Sequence, residues 1–385
     1  MRHSTSSSAK SRLGFYRWSV VTIVGLGLVV AFAGCKPKPR SLSQPTLYLG
    51  TSVPGIEIFN VTLNPSGVPQ MIRQSGIPVA AGAVMAMTVI DKSLYAAAGG
   101  GSIAQFTIDP LHGGLTLRGT IPAGSPPYSM AATAKNVYVA NRGSNNLSVY
   151  SIDAAGNLAS LQTVTSNGVN SLQLDSAGKF LFTGSRTNGA TGPQVCTHLL
   201  QPDGSLPATP SCVAVNGAPQ EMQFTGGVLF LLFNATVAPA LGVTNWVSAW
   251  TVDPATGALT HRGTDLDIGA ANTVGMAVST NGQTLFLPRQ GGFLTVGTAN
   301  PLSARSITFT PTFSQWCLLP PVGPGQVLVD PRGKALYITD PIGAVAGNII
   351  GPRVASLEIT AGGGLNPIIC DAAGSKPMSM ALFIP

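Results

Sequence analysis

A motif recurs seven times along this chain, and its first and last copies are incomplete in complementary ways. Each copy pairs a short strand entered through a small or apolar turn with a second strand that ends apolar-aromatic. The copies run from Ala86-Met87 to Leu94-Tyr95, Ser129-Met130 to Val137-Tyr138, Ser171-Leu172 to Leu181-Phe182, Glu221-Met222 to Leu229-Phe230, Gly275-Met276 to Leu285-Phe286, and Gln326-Val327 to Leu336-Tyr337. The seventh, Ser379-Met380, has no second strand before Pro385. At the other end, Thr46-Leu47-Tyr48 is a second strand with no first strand before it. The two remnants add up to one unit, which predicts a ring closed by pairing residues near the two termini.

The first-strand Met, Leu or Val positions lie 43, 42, 50, 54, 51 and 53 residues apart. Repeats of about 40–50 residues holding four short strands each are propeller blades. A third strand alternates apolar and polar residues, as in Leu147-Ser148-Val149-Tyr150-Ser151-Ile152. Turn residues follow, such as Asp153-Ala154-Ala155-Gly156 and Asp253-Pro254-Ala255-Thr256-Gly257, and predict a hairpin to a fourth strand. No helical periodicity is sustained after residue 40. The expected fold is all-β, a seven-bladed propeller over residues 46–385.

The net charge of +7 resembles that of a nucleic-acid binder until it is located. Seven of the 21 Lys and Arg fall in residues 1–40, which contain no acid. The remaining 14 balance the 14 Asp and Glu. The propeller is formally neutral and no nucleic-acid partner is expected. Residues 1–17 are polar and basic, and residues 18–34 are apolar and end in Ala31-Phe32-Ala33-Gly34 before Cys35. This is the pattern of an export signal, residues 1–34. Its small-small-Cys ending resembles a bacterial lipobox, which implies lipidation of Cys35. Phe32 stands where such boxes usually carry Leu. Lipidation would make residues 35–45 a basic linker beside the membrane, on the periplasmic or outer-membrane face of the cell envelope. The alternative is an uncleaved membrane anchor, for which the apolar run is short.

Cys196 and Cys212 are equidistant from Gly204 at the centre of a predicted hairpin, so they should face each other and form a disulfide in an exported protein. The pairing of Cys317 and Cys370 is left open. No Cys-x-x-Cys or His-rich cluster is present, and no metal or cofactor is expected. His112 and His261 fall at turns on the face away from the strand-two to strand-three loops, and His198 follows Cys196 on a third strand. No His-centred triad emerges, and no Ser lies in a Gly-x-Ser-x-Gly elbow.

First strands begin, and second strands end, on one face of a propeller. That places Arg142, Asn170, Arg186, Gln220, Glu221, Asn234, Arg289 and Asp340 around one mouth of the channel, with the apolar insertions 234–245 and 341–352 beside it. A concave site with a few convergent polar groups is the expected ligand pocket. The competing reading is a set of rim residues that satisfy loop backbone, with Glu221 paired to an Arg such as Arg186. Glu occurs only at 57, 221 and 358, so its appearance at this mouth is informative.

Val137-Tyr138-Val139-Ala140-Asn141, Asn145-Asn146-Leu147-Ser148-Val149-Tyr150 and Leu336-Tyr337-Ile338-Thr339-Asp340 resemble the YVTN-type repeats of the seven-bladed propeller lactonase family, which includes enzymes of the 6-phosphogluconolactonase type. The resemblance covers roughly residues 46–385 by repeat spacing. It implies lactone hydrolysis, but the family's usual set departs here. Its Gly-Pro-His element corresponds to Gly168-Val169-Asn170, its Gly-Pro-Arg-His element to Ala218-Pro219-Gln220-Glu221, and its Glu to Asn234. The expectation is therefore a lipid-anchored scaffold that binds a small ligand, such as a lactone, or an envelope protein. The alternatives are a lactone hydrolase with Glu221 as base and Arg142 or Arg186 as oxyanion donor, and a subunit of an envelope complex with no pocket.

Overall fold

The computed structural model describes residues 45–385 apart from 54, 64–68, 75–81, 167, 187–191, 235–244, 270–272, 274, 290–291, 308–324, 341–343, 346–347, 350–352, 361–363 and 374–376. Cys35, the export signal and Cys317 lie outside these residues, as do the side chains of Asn234, Arg289, Asp340 and Cys370 and most of the two insertions. The described part of insertion 341–352 pairs Ala344–Val345 with Asn348–Ile349. Among the described residues there is no helix. None is therefore long and apolar enough to cross a membrane.

Seven antiparallel sheets follow the repeats. Blade 1 comprises Val84–Ile90, Ser93–Ala98, Ser102–Ile108 and Leu115–Pro122. Blade 2 comprises Pro127–Ala132, Asn136–Asn141, Asn146–Ile152 and Leu158–Thr165. Blade 3 comprises Val169–Leu174, Phe180–Ser185, Gln194–Leu199 and Ser211–Ala214. Blade 4 comprises Pro219–Thr225, Val228–Asn234 and Asn245–Val252, and its outer edge is split into Leu259–His261 and Leu266–Asp267. Blade 5 begins at Ala277–Val278 and blade 6 at Val327–Val329. Blade 7 is the composite unit. Pro377–Phe383 pairs with Thr46–Thr51, with Leu49 opposite Met380 and Tyr48 opposite Ala381. The first strands touch one another in sequence around a closed circle of seven.

The blades pack face to face because both faces of each second strand are apolar. Leu47, Tyr48, Leu94, Tyr95, Leu336 and Tyr337 are fully buried. A full-burial aromatic in this position brings a hydroxyl into the core, and it needs a partner. For three such tyrosines the next blade supplies one, whereas Tyr337 donates to Asp330 of its own blade at 3.2 Å. Tyr48 donates to the Gly113 carbonyl at 2.8 Å, Tyr95 to Gly156 at 2.8 Å and Tyr138 to Gly204 at 2.9 Å. At the following interface the hydroxyl of Thr197 reaches Gly257 at 3.0 Å. Glycine is required at such a hairpin. Gly204 has φ +86°, and a Cβ there would collide with Asn136.

Side-chain hydrogen bonds also join several neighbouring first strands. Ser129 Oγ accepts from the Leu172 amide at 3.1 Å, and Ser171 Oγ donates to the Pro219 carbonyl at 3.4 Å. Gln326 Oε1 accepts from the Met380 amide at 2.7 Å, and Ser379 Oγ donates to the Val84 carbonyl at 3.0 Å. The last of these, with the strand pairing of blade 7, closes the ring. Every sheet and the closing strand fall within one compact unit, Leu42–Pro385, which carries a complete core of its own.

Cys196 and Cys212 are opposite each other on the third and fourth strands of blade 3 and form the disulfide expected from their spacing about Gly204.

Candidate functional site

The mouth is shaped by a local irregularity that repeats from blade to blade. Five first strands carry a bulge at the same point. The extra residue is Met85 in blade 1, Tyr128 in blade 2, Asn170 in blade 3, Gln220 in blade 4 and Met378 in blade 7. A bulge releases one residue from the ladder and re-aims its side chain, and bulges gather at barrel rims and beside active sites. In each case the released residue directly precedes the small, Ser or Glu residue of the repeat. The first strand is the innermost of its sheet, so the bulges lie around the channel.

Asn170 is the most unusual member. It is 1% exposed, and neither its amide nitrogen nor its amide oxygen has a hydrogen-bond partner. Leaving a buried polar group unpaired costs about 1–3 kcal/mol, so such a group calls for a functional explanation. Asn141, at the end of the second strand of blade 2, is fully buried. Its amide nitrogen donates to Asn146 Oδ1 and Ser148 Oγ, both at 2.8 Å, while its oxygen is unpaired.

Glu221 follows the bulged Gln220 and occupies the position held by Ser129, Ser171 and Ser379 in other blades. The bond to the next first strand comes instead from Gln223, whose Nε2 donates to the Met276 carbonyl at 2.9 Å. Glu221 retains some accessible surface, yet protein atoms enclose its carboxyl group. Desolvation pushes its pKa up to about 8, against smaller opposing hydrogen bonds from the Met222 amide and the Gln223 side chain. The ion pairs among the described residues are Arg73–Glu57, His112–Asp109, His261–Asp265 and Arg332–Asp330, and Glu221 is in none of them.

Arg142 and Arg186 directly follow the second strands of blades 2 and 3, and both are half-buried. Arg142 lies over the ring of Tyr128, 5.0 Å from its centroid. Asn234, Arg289 and Asp340 end the second strands of blades 4, 5 and 6, with side chains outside the described residues. The structure thus gathers Asn170, Gln220 and Glu221 on adjacent first strands and sets Arg142 beside the neighbouring bulge.

Sequence reasoning missed Met85, Tyr128 and Met378. Their register was visible, since each stands one residue before the repeat's own marker as Asn170 and Gln220 do, but the bulge that releases them was not. Among the described residues no group of His, Cys, Asp and Glu could hold a metal ion. The histidines lie elsewhere. His112 contacts Asp109 at 2.7 Å on an exposed turn, and His261, which ends an edge strand of blade 4 where a turn was expected, contacts Asp265 at 2.8 Å. His198 is buried in blade 3, 3.2 Å from Thr183 Oγ1, and burial lowers its pKa to about 4.

The chemistry available at the mouth is that of a neutral amide, a carboxyl group whose pKa is raised by desolvation, and guanidinium groups at the rim. Residues 129–192, which include Asn170, match the family model "Lactonase, 7-bladed beta-propeller". No curated protein sequence matches the chain. Among solved structures, a proposed 6-phosphogluconolactonase of Bacteroides fragilis superposes with a TM-score of 0.67 at 17% identity, over 90% of this chain and 100% of that one. The periplasmic gluconolactonase of Pseudomonas aeruginosa gives 0.66 at 16%, over 89% and 99%. Hydrazine synthase of Kuenenia stuttgartiensis gives 0.59 at 13%, over 77% and 89%. At these identities the likeness is one of fold, and a shared fold hosts different chemistries. This chain is a seven-bladed β-propeller, and its residues 129–192 resemble the lactonase family of that fold.

Proposed function

We propose that this chain is an exported propeller, anchored to the bacterial cell envelope through lipidated Cys35, that binds a small neutral carbonyl compound of the lactone class at its channel mouth. The observation that carries the reading is the buried, unpartnered amide of Asn170. An amide both donates and accepts, so it suits a ligand that presents a carbonyl and a hydroxyl together. Glu221 favours an uncharged ligand, because desolvation raises its pKa to about 8, so that below this pH its carboxyl is mostly protonated and can donate a hydrogen bond. The gluconolactonase of P. aeruginosa makes lactones the first class to try.

The test is calorimetric titration of the 42–385 unit with gluconolactone, γ-butyrolactone and their open acids. Binding of a lactone that weakens roughly tenfold in Asn170→Ala supports the reading. Equal binding by wild type and variant, or no lactone binding by folded protein, refutes it. Cys35→Ser should abolish labelling of the full chain by radioactive palmitate in cells; unchanged labelling would remove the lipid anchor.

Hydrolysis is the second reading, with Glu221 as base and Arg142 or Arg186 facing the developing oxyanion. The observation in its favour is the raised pKa of Glu221, which suits a general base working near pH 8. Turnover should then rise with pH through about 8 and vanish in Glu221→Gln. Binding without turnover at any pH leaves the binding function alone.

A further inference from the structure

We infer that the ligand of this mouth is amphipathic, a lactone head carrying an unbranched aliphatic arm, because the five bulges divide the mouth into a polar and an apolar arc. The inference rests on the binding function proposed above and adds the ligand's second half. Taken in ring order, the residues released by the bulges are Met378, Met85, Tyr128, Asn170 and Gln220, from blades 7, 1, 2, 3 and 4. The first strands that carry them are successive neighbours around the circle. Three consecutive positions are thus apolar or aromatic and the next two are amides, so the segregation follows blade order.

Core packing does not account for the apolar three. Met87, Met222, Met276 and Met380 are buried within the inter-blade cores. Met85 and Met378 are half-buried, Tyr128 is 37% exposed, and none of them belongs to a core cluster. Two of the chain's nine methionines therefore stand at the released positions of adjacent first strands. Methionine is unbranched and polarizable, and it adapts to flexible aliphatic chains. On the far side of this arc, Arg142 covers one face of Tyr128 and marks where the apolar surface gives way to the amides. A polyhydroxylated ring would match only the Asn170 and Gln220 side. A lactone with an alkyl arm matches both.

The experiment is a chain-length series. Affinities of the 42–385 unit for γ-butyrolactone, γ-heptalactone and γ-decalactone are measured by calorimetry in detergent-free buffer. Wild type should gain roughly two- to fourfold per added methylene. Met85→Gln with Met378→Gln should flatten that dependence, and Met85→Leu with Met378→Leu should restore it. Equal wild-type affinity for all three lactones overturns the inference while leaving lactone binding intact, and so does an undiminished dependence in a folded Gln pair. Absence of binding by all three, γ-butyrolactone included, overturns both. If the Gln pair fails to fold, the wild-type series and the Leu pair still decide.

Discussion

Replacing Glu221 with Gln should make the protein more stable at high pH and leave it nearly unchanged at low pH. The carboxyl group has an ordinary pKa of 4.5, and enclosure in the channel raises it to about 8 in the folded protein. Below pH 4.5 it is protonated in both the folded and the unfolded chain, so it adds no pH dependence. Between 4.5 and about 8 the unfolded chain releases the proton and the folded protein keeps it, so stability falls as pH rises. Above about 8 the loss is complete. At about 1.4 kcal/mol per pH unit, that span amounts to a loss on the order of 5 kcal/mol. The residue keeps some hydration at the mouth, which reduces the figure to roughly 2–4 kcal/mol. Glutamine has the same shape and does not titrate. The difference in stability between variant and wild type should therefore grow from pH 5 to pH 8 and then level off. Urea unfolding of both proteins at intervals from pH 5 to pH 9 measures it directly, with equal slopes against denaturant expected. A difference that stays constant across this range would mean that Glu221 is ionised throughout. The argument for an uncharged ligand would then fail.

Tyr48→Phe removes a buried donor to the Gly113 carbonyl and should cost about 1–2 kcal/mol in unfolding experiments; no change would mean that this fastener is dispensable. Phe383 is 5% exposed in the core that joins blade 7 to blade 1, so Phe383→Ala should cost about 3–5 kcal/mol, and a loss near zero would argue against closure by the C-terminal strand. Cys196→Ser with Cys212→Ser opens a link spanning 16 residues and should cost about 3 kcal/mol relative to the oxidised protein; an identical melting temperature with and without reductant would contradict the bridge.

The fold was legible because its causes are local and repeated. Alternation, turn residues and the apolar-aromatic ending of each second strand recur at near-constant spacing, and a repeat that breaks off at Ser379-Met380 and resumes at Leu47-Tyr48 can be completed only by pairing those segments. The disulfide was legible for the same reason, since two cysteines equidistant from a hairpin glycine must meet if the hairpin forms. The site was legible only as a neighbourhood. Asn170, Gln220 and Glu221 could be assigned to the mouth by counting residues, but a count cannot reveal a bulge, which arises when one strand accommodates an extra residue against its partner. Met85, Tyr128 and Met378 read as ordinary strand residues for that reason.

Burial and charge state were decided by tertiary structure alone. The sequence determines that a glutamate stands where other blades carry serine, but its protonation depends on how closely neighbouring blades enclose the carboxyl group. Likewise, whether the amide of Asn170 finds a partner depends on side chains brought near it from separate repeats. Strand order and ring closure follow from short-range pattern, whereas desolvation and hydrogen-bond satisfaction are properties of the assembled ring.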